Sequence, residues 1–485
     1  MMSSSRVITA IVVTVAVLGG TALVLFGPSL PRTAPVPSAD RPPNVLLIVI
    51  DALRADHLGC YGNKRIATPH IDRFAREGVL FEQAYAQASW TKSSVASMLT
   101  GFFPYRLGVF TELGEGSVLP DEADTIAERL RARGYATCLV SANPYICPQH
   151  GFAQGFSHVA CVPPSAPDAT ARVRDRTVTA LRKKKEPSPF FMYVHFLDPH
   201  DPYTRVSGCE PGLQGREVED QHVLAGEAFV LSGEKRLGDR MYEGAIPEPL
   251  PLEPEELGYL RDLYACEVTG IDRAVGAIRS TLEEEGFLSD TLVIITSDHG
   301  EEFLEHGHLR HGYQLFEETV RVPLIVRFPH HTGSAARYAR PVGLIDLFPT
   351  ILALTSGRGA PEDAGGGAHV GVLPPFAFAS ASEPPGEVLA LGMTRWRNLD
   401  RAFVRTRHGK LIVDFATGEK NWYDLARDPG ENHPLSLSKS PHAAEALAAL
   451  ERIIRESEQN AYPPATPPRP SPEETEQLRS LGYVQ

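Results

Sequence analysis

Asn44-Val-Leu-Leu-Ile-Val-Ile50 runs straight into Asp51-Ala-Leu-Arg54, an unbroken apolar stretch that ends on a carboxylate. A strand with one face in water alternates apolar and polar residues. One without alternation is buried on both faces, as in a parallel sheet covered by helices. The same signature recurs at Ala136 to Ser141, Phe190 to Leu197, Leu292 to Ser297 and Val322 to Phe328. Helical spacing fills the intervals. Leu257, Leu260, Tyr264, Val268, Ile271, Val275, Ile278 and Leu282 recur at steps of three and four until Gly286 stops the pattern. Asp121 to Ala132 and Ala169 to Lys185 read as shorter members of the same layer. The expectation is an α/β fold with a mainly parallel central sheet flanked by helices. A small C-terminal α+β subdomain follows, with Ala402 to Thr406 and Lys410 to Phe415 as a hairpin and Ala443 to Asn460 as a helix.

In an open α/β sheet the reactive groups collect at the carboxyl ends of the strands. Asp51 ends the first run, His195-Phe-Leu-Asp198-Pro-His200-Asp201-Pro-Tyr203 follows the third, and Ser297-Asp298-His299-Gly300-Glu301 follows the fourth. A single Asp after a strand is more often a helix cap or loop residue. Three such groups at corresponding ends point instead to one metal site. Asp51, Asp298 and His299 make a mixed oxygen and nitrogen set that suits Zn²⁺ or Mn²⁺ and is less natural for Ca²⁺. The segment from Ser89 to Gly101 puts hydroxyls at the start of an apolar helix, where Thr91, Ser93 and Ser94 are capping candidates by themselves.

The 485 residues carry a net charge of -13, which leaves no basic surface for a nucleic acid, so an anionic substrate has to be held locally. Val7 to Phe26 follows Arg6 without a charge and is long enough to cross a bilayer, and no Ala-x-Ala site comes after it. Residues 1–26 are therefore expected to act as a signal-anchor and 27–43 as a Pro-rich tether. That arrangement holds the body outside the cytoplasm, facing the periplasm or the extracellular side, or releases it if the segment is cleaved. Residues 44–350 form the expected catalytic domain and 351–485 the C-terminal subdomain. The irregular, Gly- and Pro-containing stretch 201–252 reads as an insert or lid. Six cysteines match no zinc spacing, and Cys147 is the one placed to close with Cys161 or Cys209.

From Pro43 to about residue 432 the chain resembles the sulfatase family of the alkaline phosphatase superfamily. Pro43 to Asp51 with Leu53-Arg-Ala-Asp-His-Leu-Gly-Cys-Tyr-Gly62 resembles the opening strand and metal loop, and Thr68-Pro-His-Ile-Asp72 continues it. Thr296-Ser-Asp-His-Gly-Glu301, Arg321-Val-Pro-Leu-Ile325, Asp346-Leu-Phe-Pro-Thr350 and Trp422 to Glu431 follow in order. Leu99-Thr-Gly101 aligns the hydroxyl-rich segment with the nucleophile block Cys-x-Pro-Ser-Arg. Counting back from Gly101, Thr91 stands at the formylglycine-forming Cys, Ser93 at the Pro and Val95 at the Arg. Ala52 replaces the second Asp of the metal pair, Ser141-Ala-Asn143-Pro144 stands where a Lys-x-His is expected, and His311 replaces a later Lys.

The resemblance implies a hydrolase of sulfuric or phosphoric esters that depends on a divalent metal (Zn, Mn or Ca). Thr91 would serve as a metal-bound nucleophile beside Asp51, Asp298 and His299. His200 and His311, with Asp198, would complete a second metal site or contact the ester oxygens and protonate the leaving group. Lys92 and Asn143 would contact the transferred group, and Arg54 would orient the first loop. The loop Glu305-His-Gly-His308 has a metal-binding look but reads as solvated surface. The substrate would be a small-molecule, glycan or lipid ester. Two other readings share these residues: a membrane-anchored phosphotransferase of the cell envelope, and a sulfatase-like binding protein without activity.

Overall fold

The computed structural model describes residues 42–111, 116–163, 166, 168–185, 187–209, 236–237, 240–241, 254–330, 335–356, 388–394, 399–465, 472 and 475. The continuous apolar runs are strands: β1 (Asn44–Ile50), β3 (Ala136–Ser141), β5 (Phe190–Phe196), β6 (Thr291–Thr296) and β7 (Arg321–Arg327). Val45 to Ile50 are fully inaccessible, as expected of a strand covered on both faces. Each such side chain contributes about 1.5–3 kcal/mol relative to exposure. Three strands absent from the sequence reading complete much of the rest: β2 (Val79–Tyr85), β4 (His158–Cys161) and β8 (Ala336–Tyr338). The sheet has nine strands in the order β8-β2-β7-β6-β1-β5-β3-β4, with the short β9 (Val342–Gly343) also pairing with β2.

From β6 through β1, β5 and β3 to β4 every pairing is parallel. β7 runs antiparallel to both β6 and β2, so the sheet is mainly rather than wholly parallel. The long periodic segment is one helix, Pro254–Glu284, packed on Ala169–Lys183 and Pro69–Glu77. A second group consists of Thr91–Thr100, Ile126–Ala132 and Leu347–Thr355. The helix expected from Asp121 begins at Ile126 because Thr125 and Glu128 form a capping box that closes its first turn.

The C-terminal hairpin and helix are present as β11 (Arg401–Thr406), β12 (Lys410–Asp414) and the helix Pro441–Gln459. With β10 (Val388–Thr394) and β13 (Lys420–Tyr423) they make a four-stranded antiparallel sheet. Trp422, Leu411, Val404 and Leu450 lie in its core. The helix Leu347–Thr355 runs across the expected boundary at residue 350. The segment Val7 to Phe26 and most of the stretch 201–252 lie outside the described residues. Among the described residues no helix is long and apolar enough to cross a membrane. Cys147 pairs with Cys161, while Cys209 takes Cys266 on the long helix instead of Cys147. Cys60 and Cys138 are free.

Candidate active site

The carboxyl ends of β1 and β6 are neighbours in the sheet, which brings Asp51 beside Asp298 and His299. All three are fully buried. The helix Thr91–Thr100 starts at the same place. Its N-cap residue is Trp90, which makes no side-chain cap, so none of the three hydroxyls caps the helix. Ser93 Oγ donates to Val109 O at 2.5 Å and Ser94 Oγ to Asp298 O at 2.6 Å. Thr91 Oγ1 is turned to His299 Nε2 at 3.3 Å. The positive end of the helix backbone therefore faces the point where the carboxylates meet.

His299 Nε2 lies 3.4 Å from Asp51 Oδ1 and 3.6 Å from Asp298 Oδ2. Neither of those oxygens accepts a hydrogen bond. Two buried carboxylate oxygens without donors are costly unless something positive lies between them. The His299 ring is held by Nδ1, which donates to Gly300 O at 2.9 Å and leaves the Nε2 lone pair facing the same point. This donor set fits a divalent cation: Asp51, Asp298, His299 and Thr91 would hold it. Burial would raise the Asp51 carboxyl, but His200, His195 and His299 pull it down to about 2. Burial and then Asp51 push Asp298 up.

A second cluster adjoins the first. His200, Asp201 and His311 present ligand atoms within 4.8 Å of one another. The His311 ring lies 4.2 Å from that of His299 and 4.7 Å from that of His200. The companion acid is Asp201 rather than Asp198. Asp198 Oδ2 accepts from Thr170 Oγ1 at 2.5 Å, whereas Asp201 pairs with Arg310. His311 Nδ1 is 2.9 Å from Glu301 Oε1. Burial, then His299 and His200, push His311 well below its usual range. Burial, then Asp201, push Glu301 well above its own.

Two expected substrate contacts are otherwise engaged. Asn143 Nδ2 donates to Asp51 Oδ2 at 2.6 Å, so the residue reaches a carboxylate rather than the transferred group. Lys92 is fully buried, with Nζ 3.1 Å from Ser117 O, 3.3 Å from His150 Nδ1 and 4.2 Å above the Tyr145 ring. Arg54 ties its loop to Glu301 O and Glu305 Oε1 at 3.0 and 2.7 Å. His306 is a bridge, not solvated surface: Nδ1 is 2.5 Å from Glu318 Oε1 and Nε2 is 3.1 Å from Gly430 O. His195, His150 and Glu301 were not singled out from the sequence. For His195 the signal was an imidazole inside an otherwise apolar strand. Its Nε2 reaches Asp51 Oδ2 at 3.3 Å and its Nδ1 is 2.9 Å from Tyr193 Oη.

The sulfatase family model matches residues 43–357. Arylsulfatase A of Bos taurus is 28% identical over 86% of this chain and 88% of its own length. N-acetylglucosamine-6-O-sulfatase of Bacteroides thetaiotaomicron is 25% identical over 86% of this chain and 87% of its own. The phosphonate monoester hydrolase of Agrobacterium radiobacter shares the fold, with a TM-score of 0.66 at 22% identity over 88% of this chain and 100% of that one. These relatives are hydrolases, and they lend no support to a membrane phosphotransferase. Because the match runs through more than half of the sequence, the chain belongs to the sulfatase family, as a sulfatase-like ester hydrolase.

Proposed function

We propose that this protein cleaves sulfuric or phosphoric esters of a glycan or other small molecule, with Thr91 as the nucleophile on a divalent cation. The observation that carries this reading is the convergence of Thr91 Oγ1, Asp51 Oδ1 and Asp298 Oδ2 around His299 Nε2, the two carboxylate oxygens lacking any donor. When bound, the cation would favour the deprotonated hydroxyl and offset charge on the ester oxygens. Thr91 Oγ1 gives its proton to solvent and bonds to sulfur or phosphorus as the bond to the leaving oxygen breaks. His311 protonates that oxygen from Nε2 and is reprotonated at Nδ1 by Glu301, whose carboxyl is pushed well above its ordinary range by burial and then by Asp201. His200, beside His311, holds an ester oxygen. Water then attacks the same centre and passes one proton through His311 to Glu301, the other staying on the released acid or going to solvent, while Thr91 Oγ1 leaves and takes a proton back from solvent.

Export from the cytoplasm accords with two disulfides in the fold. The test is metal content together with turnover of aryl sulfate, aryl phosphate monoester and aryl phosphodiester panels by the protein from residue 40 onward. One class should be turned over, and Thr91→Ala should lower kcat/KM by roughly a thousandfold or more without loss of fold. Activity unchanged in Thr91→Ala would overturn the nucleophile. A metal-free, inactive wild type would favour the binding-protein reading.

A further inference from the structure

The two carboxylates are held by the same device on opposite sides. Asp51 Oδ2 accepts from Asn143 Nδ2 at 2.6 Å and lies 3.3 Å from His195 Nε2, while Oδ1 accepts nothing. Asp298 Oδ1 accepts the backbone N–H of His299 at 2.9 Å and of Ala52 at 3.3 Å, while Oδ2 accepts nothing. In each carboxylate the outer oxygen is occupied and the inner one is free. A carboxylate gripped in this way can offer a cation only one oxygen.

Asn143 is fixed for this task from both ends. Its Oδ1 accepts the Tyr145 N–H at 2.8 Å, which settles the amide orientation and leaves Nδ2 as the donor to Asp51. Its backbone N–H is held by Ser141 Oγ at 3.0 Å, at the end of β3. The Cys147–Cys161 disulfide closes the segment just beyond. Asn143 is therefore a positioning residue for Asp51.

The count of donors follows. Two single carboxylate oxygens, one imidazole nitrogen and one hydroxyl make four, while Ala52 brings only a backbone N–H, which goes to Asp298 Oδ1. Around His299 Nε2 the three oxygens lie at 3.3, 3.4 and 3.6 Å. A tetrahedron with arms of about 2.0–2.2 Å has edges of about 3.4 Å. A larger octahedral cation has similar edges, so the number and kind of donors decide. Ca²⁺ takes about six to eight oxygens, whereas Zn²⁺ is satisfied by about four mixed oxygen and nitrogen ligands.

We propose that the grip on the outer oxygens, with Asn143 its chief element, makes this a four-donor site that selects Zn²⁺ over Ca²⁺. The proposal rests on the metal reading above, and the test separates the two. The metal-free full chain is titrated with Zn²⁺ and with Ca²⁺ against a competing chelator, and the visible spectrum is recorded with Co²⁺ in place of Zn²⁺. The expected results are one tight Zn²⁺, Ca²⁺ weaker by roughly a thousandfold, and a tetrahedral Co²⁺ spectrum. Asn143→Leu should weaken Zn²⁺ about 10–100-fold while the unfolding curve of the metal-free protein stays cooperative. Ala52→Asp should move the ratio towards Ca²⁺. It places a carboxylate at a backbone φ of 55°, which Asp tolerates better than Ala. Ca²⁺ binding as tight as Zn²⁺, or an Asn143→Leu protein with unchanged Zn²⁺ affinity, would overturn this proposal and leave the metal reading intact. A wild type that binds no divalent ion at all would overturn both.

Discussion

Two of the buried charge clusters among the described residues are built on opposite principles. At the rim of the large sheet, Asp51 and Asp298 point oxygens without donors at one spot beside His299 Nε2 and Thr91 Oγ1. At the junction with the C-terminal sheet, Lys410 sits between carboxylates: Nζ is 3.0 Å from Glu431 Oε1 and 3.3 Å from Glu317 Oε1. Lys410 is fully buried and Glu431 nearly so. His306 reinforces the junction by joining Glu318 to the Gly430 carbonyl, and both of its ring nitrogens face acceptors. A buried charge cluster that contains its own cation is a clamp. One that lacks it has room for a ligand.

The largest expected difference comes from removing the cation of the clamp. Lys410→Met leaves Glu317 and Glu431 together without a counter-charge, at a cost of about 3–5 kcal/mol. Urea unfolding of wild type and variant measures it. A loss below about 1 kcal/mol, the value of an exposed pair, would mean the junction is not a clamp.

A smaller effect concerns pH. Burial pushes the Glu431 carboxyl up to about 7, with Lys410 pulling down and Glu317 pushing up. A group whose folded pKa is raised contributes stability that is complete below the unfolded value near 4.5 and is lost as pH rises through about 7. Wild-type stability should therefore fall between those two pH values by more than that of Glu431→Gln, which cannot ionise. The difference in slope is at most about 1.4 kcal/mol per pH unit. Parallel urea midpoints for the two proteins across that window would break the assignment.

How much of each cluster could be read beforehand differs in the same way. Asp51, Asp298 and His299 were legible because a polar residue directly after a continuous apolar run is a local signal. The strand spacing then places those ends side by side. The clamp was not legible, because Lys410 lies within a strand and Glu431 in a loop, and only the folded chain brings them to Glu317. Asn143 was read as a contact for the transferred group. Its partner Asp51 lies 92 residues away in sequence, just past the end of another strand, and no local pattern records that pairing. The strand Val79–Tyr85 went unread because Glu82 and Gln83 interrupt its apolar character. They are only partly buried, on a strand flanked by the short Ala336–Tyr338 and Val342–Gly343. Lys92 illustrates the limit of the general rule that lysines are exposed. Its ammonium is accommodated inside by a carbonyl and an aromatic face.

The smallest expected effect sharpens the contrast because its sign is reversed. Asp298→Asn removes a charge from the rim as Lys410→Met removes one from the clamp, yet the metal-free variant should be more stable than wild type. The Asn Oδ1 can keep the two backbone donors now held by Asp298 Oδ1. Its Nδ2 replaces Oδ2, which has no donor, and brings an N–H to the side where Asp51 Oδ1 also lacks one. A repulsion between two buried carboxylates becomes a hydrogen bond, a gain of about 1 kcal/mol, while hydrolysis and metal binding are lost. Thermal unfolding of the chelated proteins measures the first quantity, and titration with Zn²⁺ the second. If Asp298→Asn instead destabilised the chelated protein, as Lys410→Met does, the rim would be a structural network like the junction, and the reading of its free oxygens as metal ligands would fall.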